Sequence, residues 1–283
     1  MQFFVIIIFL ILYFKGDTNV KPKKLFEMQE WKPIDCILIF VSSYLILFLL
    51  FMSKSIPVLK EIYKFTYLSY LQFFLLSIIF LLIFKLKLRQ KFSALGLNTQ
   101  NLKANIFMGL RVFSLIASIE SFLTLILLLS GRESSLDLFP NESLKAVCQA
   151  SLAIIIWGPV MEEFMFRGLM YSQFRKKFGV KSGIFLLSLV FAAWHFPATG
   201  TSILVSGIVL AYLYEKSQSL IPSIIFHGLR NLFLWFETIY SKLGKDGIIL
   251  TNEKVFILVL TIILFGSYFI LKTWNPEIKN NQN

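Results

Sequence analysis

Apolar residues in this chain come in long runs with few polar interruptions, not in the alternation of a strand or the three-to-four spacing of a surface helix. The runs fall at about Gln2–Phe14, Ile34–Met52, Phe65–Phe84, Asn105–Leu129, Lys145–Tyr171, Ser182–Phe196, Ser202–Tyr214, Leu220–Phe236 and Val255–Leu271, each closed by a short polar stretch. A helix rises about 1.5 Å per residue, so roughly 20 apolar residues cross the hydrocarbon core of a bilayer. The pattern predicts an all-α, polytopic transmembrane helix bundle with about eight or nine spans. Gln2–Phe14 is short. It lacks a positive residue before its apolar run and a small-residue cleavage site, which favours a short first span over a signal peptide.

Charge in the loops orients the spans. Lys15, Lys21, Lys23, Lys24 and Lys32 fill one loop; Lys85, Lys87, Arg89, Lys91 and Lys103 fill another; Arg175, Lys176, Lys177 and Lys181 fill a third. Between them, Gly131 to Glu142 sets Arg132 against Glu133, Asp137 and Glu142. Positive loops stay cytoplasmic, so the amino terminus is expected outside and the carboxyl terminus inside. Were the first segment not to cross, the later spans would keep this orientation. Phe92–Leu97 within the second loop is apolar enough to lie along the interface. Trp194 and Trp235 fall near outer interfaces, where aromatic belts form.

Composition agrees: 57% of the 283 residues are hydrophobic and 16% charged, against about a quarter charged in soluble domains. No polar stretch is long enough for a soluble domain. The net charge of +12 resides in the short loops, a pattern of topology and lipid contact, so no nucleic-acid partner is expected. Cys36 and Cys148 lie far apart in or beside apolar runs and read as two small buried residues. Ile, Lys and Phe are abundant, which hints at an AT-rich genome and a bacterial cell membrane.

Against this background, Trp157-Gly158-Pro159-Val160-Met161-Glu162-Glu163-Phe164-Met165-Phe166-Arg167-Gly168 stands out. Ionisable groups at such depth cost about 2.5–3.5 kcal/mol each on insertion scales. The chain's two histidines, His195 and His227, also lie in apolar runs. Counted inward from the cytoplasmic ends, Glu162 sits roughly 15 Å deep, His195 roughly 19 Å and His227 roughly 10–12 Å, so one cavity can hold all three. Glu163 and Arg167, four apart, can pair on one helical face, while Glu162 is turned about 100° away from Glu163. His227 and Asn231 are also four apart and can point at one oxygen atom. Gly158 and Pro159 precede the carboxylates by a turn, where a kink or a freed carbonyl can open water access.

Those residue types suit hydrolysis. A carboxylate kept from bulk water suits a general base near neutral pH. Glu162, helped by His195, would take a proton from water attacking a peptide carbonyl, and His227 with Asn231 would donate to the oxyanion. Alternatively Glu162, His195 and His227 would ligate a zinc ion that activates the water.

Glu162-Glu163-x-x-x-Arg167, Phe191-x-x-x-His195 and His227-x-x-x-Asn231, in that order on three spans, resemble the three motifs of the CPBP (Abi) family. That family comprises type II CAAX prenyl endopeptidases and bacteriocin-processing or self-immunity relatives. The resemblance runs from about Leu144 to Trp235. It implies an intramembrane endopeptidase in which Glu162 and His195 activate water, His227 and Asn231 form the oxyanion hole, and Glu163 and Arg167 support the site. It implies a metal-free glutamate mechanism slightly ahead of a zinc-dependent one. The implied substrate is a membrane-associated protein or peptide. The corresponding division is amino-terminal spans over 1–143, a catalytic core over 144–240, and a last span with tail over 241–283. His-Glu-x-x-His, Gly-x-Ser-Gly and Gly-x-Gly-Asp signatures of other intramembrane proteases are absent. Two competing readings use the same polar cluster: a proton- or ion-coupled transporter, and a non-catalytic immunity protein.

Overall fold

The computed structural model describes residues 38, 41, 42, 45, 65–82, 85, 95–97, 101–131, 139, 141–195, 201–245 and 253–273. The expected first span lies outside these residues, as does most of the second. Every regular element among the described residues is helical. In chain order they are α1 (Phe65–Leu81), α2 (Leu102–Leu129), α3 (Leu144–Gln149), a π-helical turn π1 (Ala153–Trp157), α4 (Gly158–Glu163), a second π-helical turn π2 (Phe164–Met170), α5 (Tyr171–Trp194), α6 (Thr201–Ser217), α7 (Leu220–Lys245) and α8 (Glu253–Thr273).

Three helical segments among the described residues, Leu102–Leu129, Ala153–Trp194 and Lys254–Lys272, are long and apolar enough to cross a membrane. They mark an integral membrane protein. The second is bent, because Gly179 takes φ 77° and ψ 178° inside α5. A Cβ on Gly183 would come within 3.0 Å of the Arg175 backbone nitrogen. Residues eight apart in a straight helix are separated by about 12 Å, so the chain folds back at Gly179. Only glycine takes that backbone conformation freely.

Helix α7 is the hub, packing on α2, α6, α4 and π1, while α8 lies against α2 and α5 against α6. The main core gathers Met165, Phe166, Leu187, Phe191, Leu210 and Phe226 between them. Outward faces stay apolar; Ile262, Ile263 and Ile270 of α8 are exposed, as a lipid-facing helix requires. Hydroxyls inside these helices return to their own backbone. Ser188 and Thr261 donate to the carbonyls of Ile184 and Ile257, four residues back, which satisfies them without water. Ser143 caps α3 by accepting from the Ala146 amide at 3.2 Å.

Three expectations change. Leu95 does not lie along an interface: it is fully buried and packs against Gly168. The Tyr214 hydroxyl donates to its carbonyl at 2.9 Å, and the Leu220 amide donates to the Gly96 carbonyl at 3.0 Å. This loop therefore plugs the end of the bundle where α6 meets α7. Trp194 is buried against Phe166, with ring centroids 6.1 Å apart, and so faces the core instead of a lipid belt. Cys148 is exposed, because its neighbour Val147 takes the inward position on α3; Cys36 lies outside the described residues.

Candidate active site

The local backbone that presents the carboxylates is unusual for a reason visible in the sequence. The Gly158 amide bonds the Ala153 carbonyl, five residues back, in π fashion. Pro159 has no N–H to give. The Ile154 carbonyl is thereby deprived of both its ordinary helical donors, and the Asn231 side chain fills the gap, Nδ2 donating at 2.9 Å. The freed carbonyl expected at Gly158-Pro159 exists and is taken up by α7. An amide nitrogen carries two hydrogens, so Asn231 keeps a second one beyond this bond.

One turn on, α4 ends in Glu162 and Glu163, both buried. Their side chains diverge. Glu163 Oε1 accepts from Arg167 Nη1 at 2.8 Å and lies 2.9 Å from His227 Nδ1. Arg167, with no exposed surface, gives its Nη2 to the Gly207 carbonyl at 3.2 Å and lies over the Phe191 ring, 4.5 Å from its centroid. Glu162 Oε2 faces the other way. It stands 3.6 Å from His195 Nε2 and 3.7 Å from His227 Nε2. Both distances are too long for direct hydrogen bonds. This oxygen is buried and has no hydrogen-bond partner among the described residues.

The histidine tautomers follow from their other nitrogens. His195 Nδ1 lies 2.8 Å from the Phe191 carbonyl. A carbonyl only accepts, so Nδ1 carries the hydrogen and the neutral ring turns the lone pair of Nε2 towards Glu162. His227 Nδ1 faces the Glu163 carboxylate, so Nε2 of that ring bears a hydrogen only when both nitrogens do. His195 is the more open of the two; its side chain is 28% exposed against 7% for His227. Phe191 touches both, its ring tilted against His195 with centroids 4.6 Å apart and edge-on to His227 at 5.9 Å.

Five of the six residues singled out from sequence are thus brought into one cluster: Glu162, His195 and His227 converge directly, and Glu163 and Arg167 back them. Asn231, one turn after His227 on α7, is bonded to the π1 backbone instead. Donor atoms around zinc at about 2.0–2.1 Å sit about 3.3 Å apart in a tetrahedron. The spacings at Glu162 are several tenths of an ångström wider. Among the described residues no group of three or more His, Cys, Asp or Glu is arranged to hold a metal ion. These are not the spacings of a closed zinc site, and no step below passes through a metal.

Sequence reasoning missed a second charge pair inside the bundle, part-buried Glu120 with buried Arg230, joined by two hydrogen bonds of 3.0 and 3.1 Å. The two residues are 110 apart, and only their presence inside apolar runs hinted at them. It also missed the cluster at the folded-back end of α5, where Arg175 forks onto Glu215 at 2.9 and 3.0 Å and the Tyr171 hydroxyl joins the same carboxylate at 2.9 Å.

Residues 145–233 match the model of the family described as type II CAAX prenyl endopeptidase Rce1-like, the CPBP/Abi family that the motifs resemble. The matched interval contains all six site residues. No curated protein and no solved structure matches the chain.

Proposed function

We propose that this chain, whose residues 145–233 match the type II CAAX prenyl endopeptidase Rce1-like family, is an intramembrane endopeptidase with Glu162 as general base. It cuts a peptide bond of a membrane-associated protein or peptide, within a multi-pass bundle of eight or nine spans whose catalytic core is residues 144–240. The carrying observation is Glu162 Oε2: buried, without a hydrogen-bond partner among the described residues, and facing the Nε2 atoms of His195 and His227. At 3.6–3.7 Å these atoms are too far apart for a direct hydrogen bond and close enough for one water to contact both.

In this reading a water donates one hydrogen to Glu162 and the other to His195 Nε2. As its oxygen attacks the carbonyl carbon, Glu162 takes the proton. The carbon becomes tetrahedral and its oxygen gains the charge. His227, carrying both ring protons and balanced by Glu163 at 2.9 Å, donates from Nε2 to that oxyanion, and the second N–H of Asn231 supplies the other hydrogen bond in this reading. Glu162 then passes its proton to the leaving nitrogen as the C–N bond breaks. A positioned general base supplies about 10²–10⁴ in rate, and each oxyanion donor about 10²–10³. With His227 charged, two carboxylates face two cations, the balance a buried polar cluster requires.

The test compares wild type with Glu162→Gln and His195→Ala, purified in detergent, on prenylated carboxyl-terminal peptides, leader peptides and membrane peptides, with zinc measured in the same preparations. Glu162→Gln is isosteric and removes only the base, so cleavage should fall by about 10²–10⁴ while folding is kept. Full activity in that variant would overturn the mechanism. Prenyl peptides cut in preference to the others would make the substrate a prenylated tail. Stoichiometric zinc lost on either substitution would replace the glutamate mechanism with a metal-dependent one.

A further inference from the structure

Arg230 holds a buried charge that the proposed chemistry does not use. Its Nη1 and Nη2 fork onto the two oxygens of Glu120 at 3.0 and 3.1 Å, and its Nε donates to Ser206 Oγ at 2.6 Å. Phe113, Ile116, Phe226 and Phe233 line the space beside the pair. Buried ion pairs in apolar surroundings are often replaced by apolar side chains of similar volume without loss of stability. Holding the fold together therefore does not account for this one. A planar fork does supply direction: it fixes the height and the rotation of one helix on another.

The helix so fixed is the one that carries half of the site. Arg230 lies three residues after His227 and next to Asn231 on α7, and its partners sit on α2 and α6. Ser206 is also the neighbour of Gly207, whose carbonyl receives Arg167. Polar contacts therefore close a loop: from His227 to Glu163, to Arg167, to Gly207 and Ser206, to Arg230, and back along α7 to His227. Opening the loop at Arg230 leaves His227 its contact with Glu163 but removes the polar tie that fixes this stretch of α7 on α2 and α6.

We propose that Glu120 and Arg230 are positioning residues that set His227 and Asn231 against Glu162. The catalytic meaning of that role rests on the endopeptidase reading, but its test does not. Full-length protein in detergent, as wild type, Arg230→Lys and the double variant Glu120→Leu/Arg230→Met, is acylated with diethyl pyrocarbonate. Modification is then quantified by mass spectrometry at the chain's two histidines. His195, on α5, is the internal reference. The expected result is a several-fold rise in the rate at His227 relative to His195 in the double variant, at an unchanged unfolding midpoint, with a smaller rise in Arg230→Lys. Wherever cleavage is measurable, kcat should fall with KM unchanged. An unchanged ratio in the folded double variant, or an equal rise at both histidines, overturns the proposal. Should the double variant fail to fold, Arg230→Lys carries the same comparison. A raised ratio in a protein whose wild type cleaves nothing would uphold the positioning role and remove the endopeptidase. An unchanged ratio in an active enzyme would do the reverse.

Discussion

Arg167 has no contact with solvent, and its charge is tolerable only while Glu163 Oε1 stands 2.8 Å away. Replacing it with Met leaves the carboxylate buried, opposed only by His227. Breaking one side of a buried pair costs about 3–5 kcal/mol, so Arg167→Met should unfold at a clearly lower temperature in detergent. Arg167→Met combined with Glu163→Leu should recover most of that loss without recovering activity, because His227 would then lack its counter-charge. Recovery of both would make Glu163 and Arg167 a stability device only. The Glu163–Arg167 contact was legible in the sequence because four residues make one helical turn. The contact of Glu163 with His227, 64 residues away, was not: periodicity places a side chain on a face but does not say which helix meets that face. The approach of Glu162, His195 and His227 was readable only as similar depth. Depth is a single coordinate, and the other two came from packing.

At the level of elements, the π1 turn and the Gly207 contact are where small residues set the geometry. Pro159→Ala would restore an N–H and let π1 relax towards an α-helix, since the Ile155 carbonyl then regains a donor four residues on. The segment bearing Glu162 would turn, and a displacement of about 1 Å can cost on the order of 10²-fold in rate. Cleavage should fall steeply while the unfolding midpoint stays level or rises; unchanged cleavage would mean that the π turn does not aim the carboxylate. Gly207 makes the opposite case. A Cβ there would meet Ser188 Cβ at 3.0 Å and Cα at 3.1 Å, and Phe191 Cδ1 at 3.3 Å. Overpacking of this kind costs about 1–3 kcal/mol, and here it pushes on the residue whose carbonyl holds His195. Gly207→Ala should lower both the unfolding midpoint and cleavage. The apolar runs had announced most of these helices, with ends shifted by several residues. The fold-back at Gly179, the inward turn of Leu95 and the burial of Trp194 were hidden, because each depends on what the neighbouring helix leaves open.

For the whole molecule, two further groups of polar contacts lie outside the central cluster. In one, Leu95 and Gly96 receive Tyr214 and Leu220, and Arg175 forks onto Glu215. In the other, Lys242 gives its ammonium to the carbonyls of Phe139 and Glu142 at 2.8 and 2.7 Å, and Trp235 bonds the Val147 carbonyl at 3.3 Å. The first set ties the positive 85–103 and 175–181 stretches, assigned to the cytoplasm by charge, to the α6–α7 turn; the second joins segments assigned to the outer side. Loop charge and tertiary contact thus sort the same segments into the same two groups. If that sorting is orientation, a single thiol placed in each group should answer to reagents from opposite sides. Asn141 and Lys177 are both exposed. In a chain with Cys36→Ser and Cys148→Ser, Asn141→Cys should react with a membrane-impermeant maleimide on intact cells, and Lys177→Cys only after the membrane is opened. Reactivity of both from outside would separate the two groups from the two faces of the bilayer, and the depths assigned to Glu162, His195 and His227 would lose their common reference. The reverse labelling would invert the protein and place the more open His195 on a path from the other compartment, so that substrates would have to be sought there.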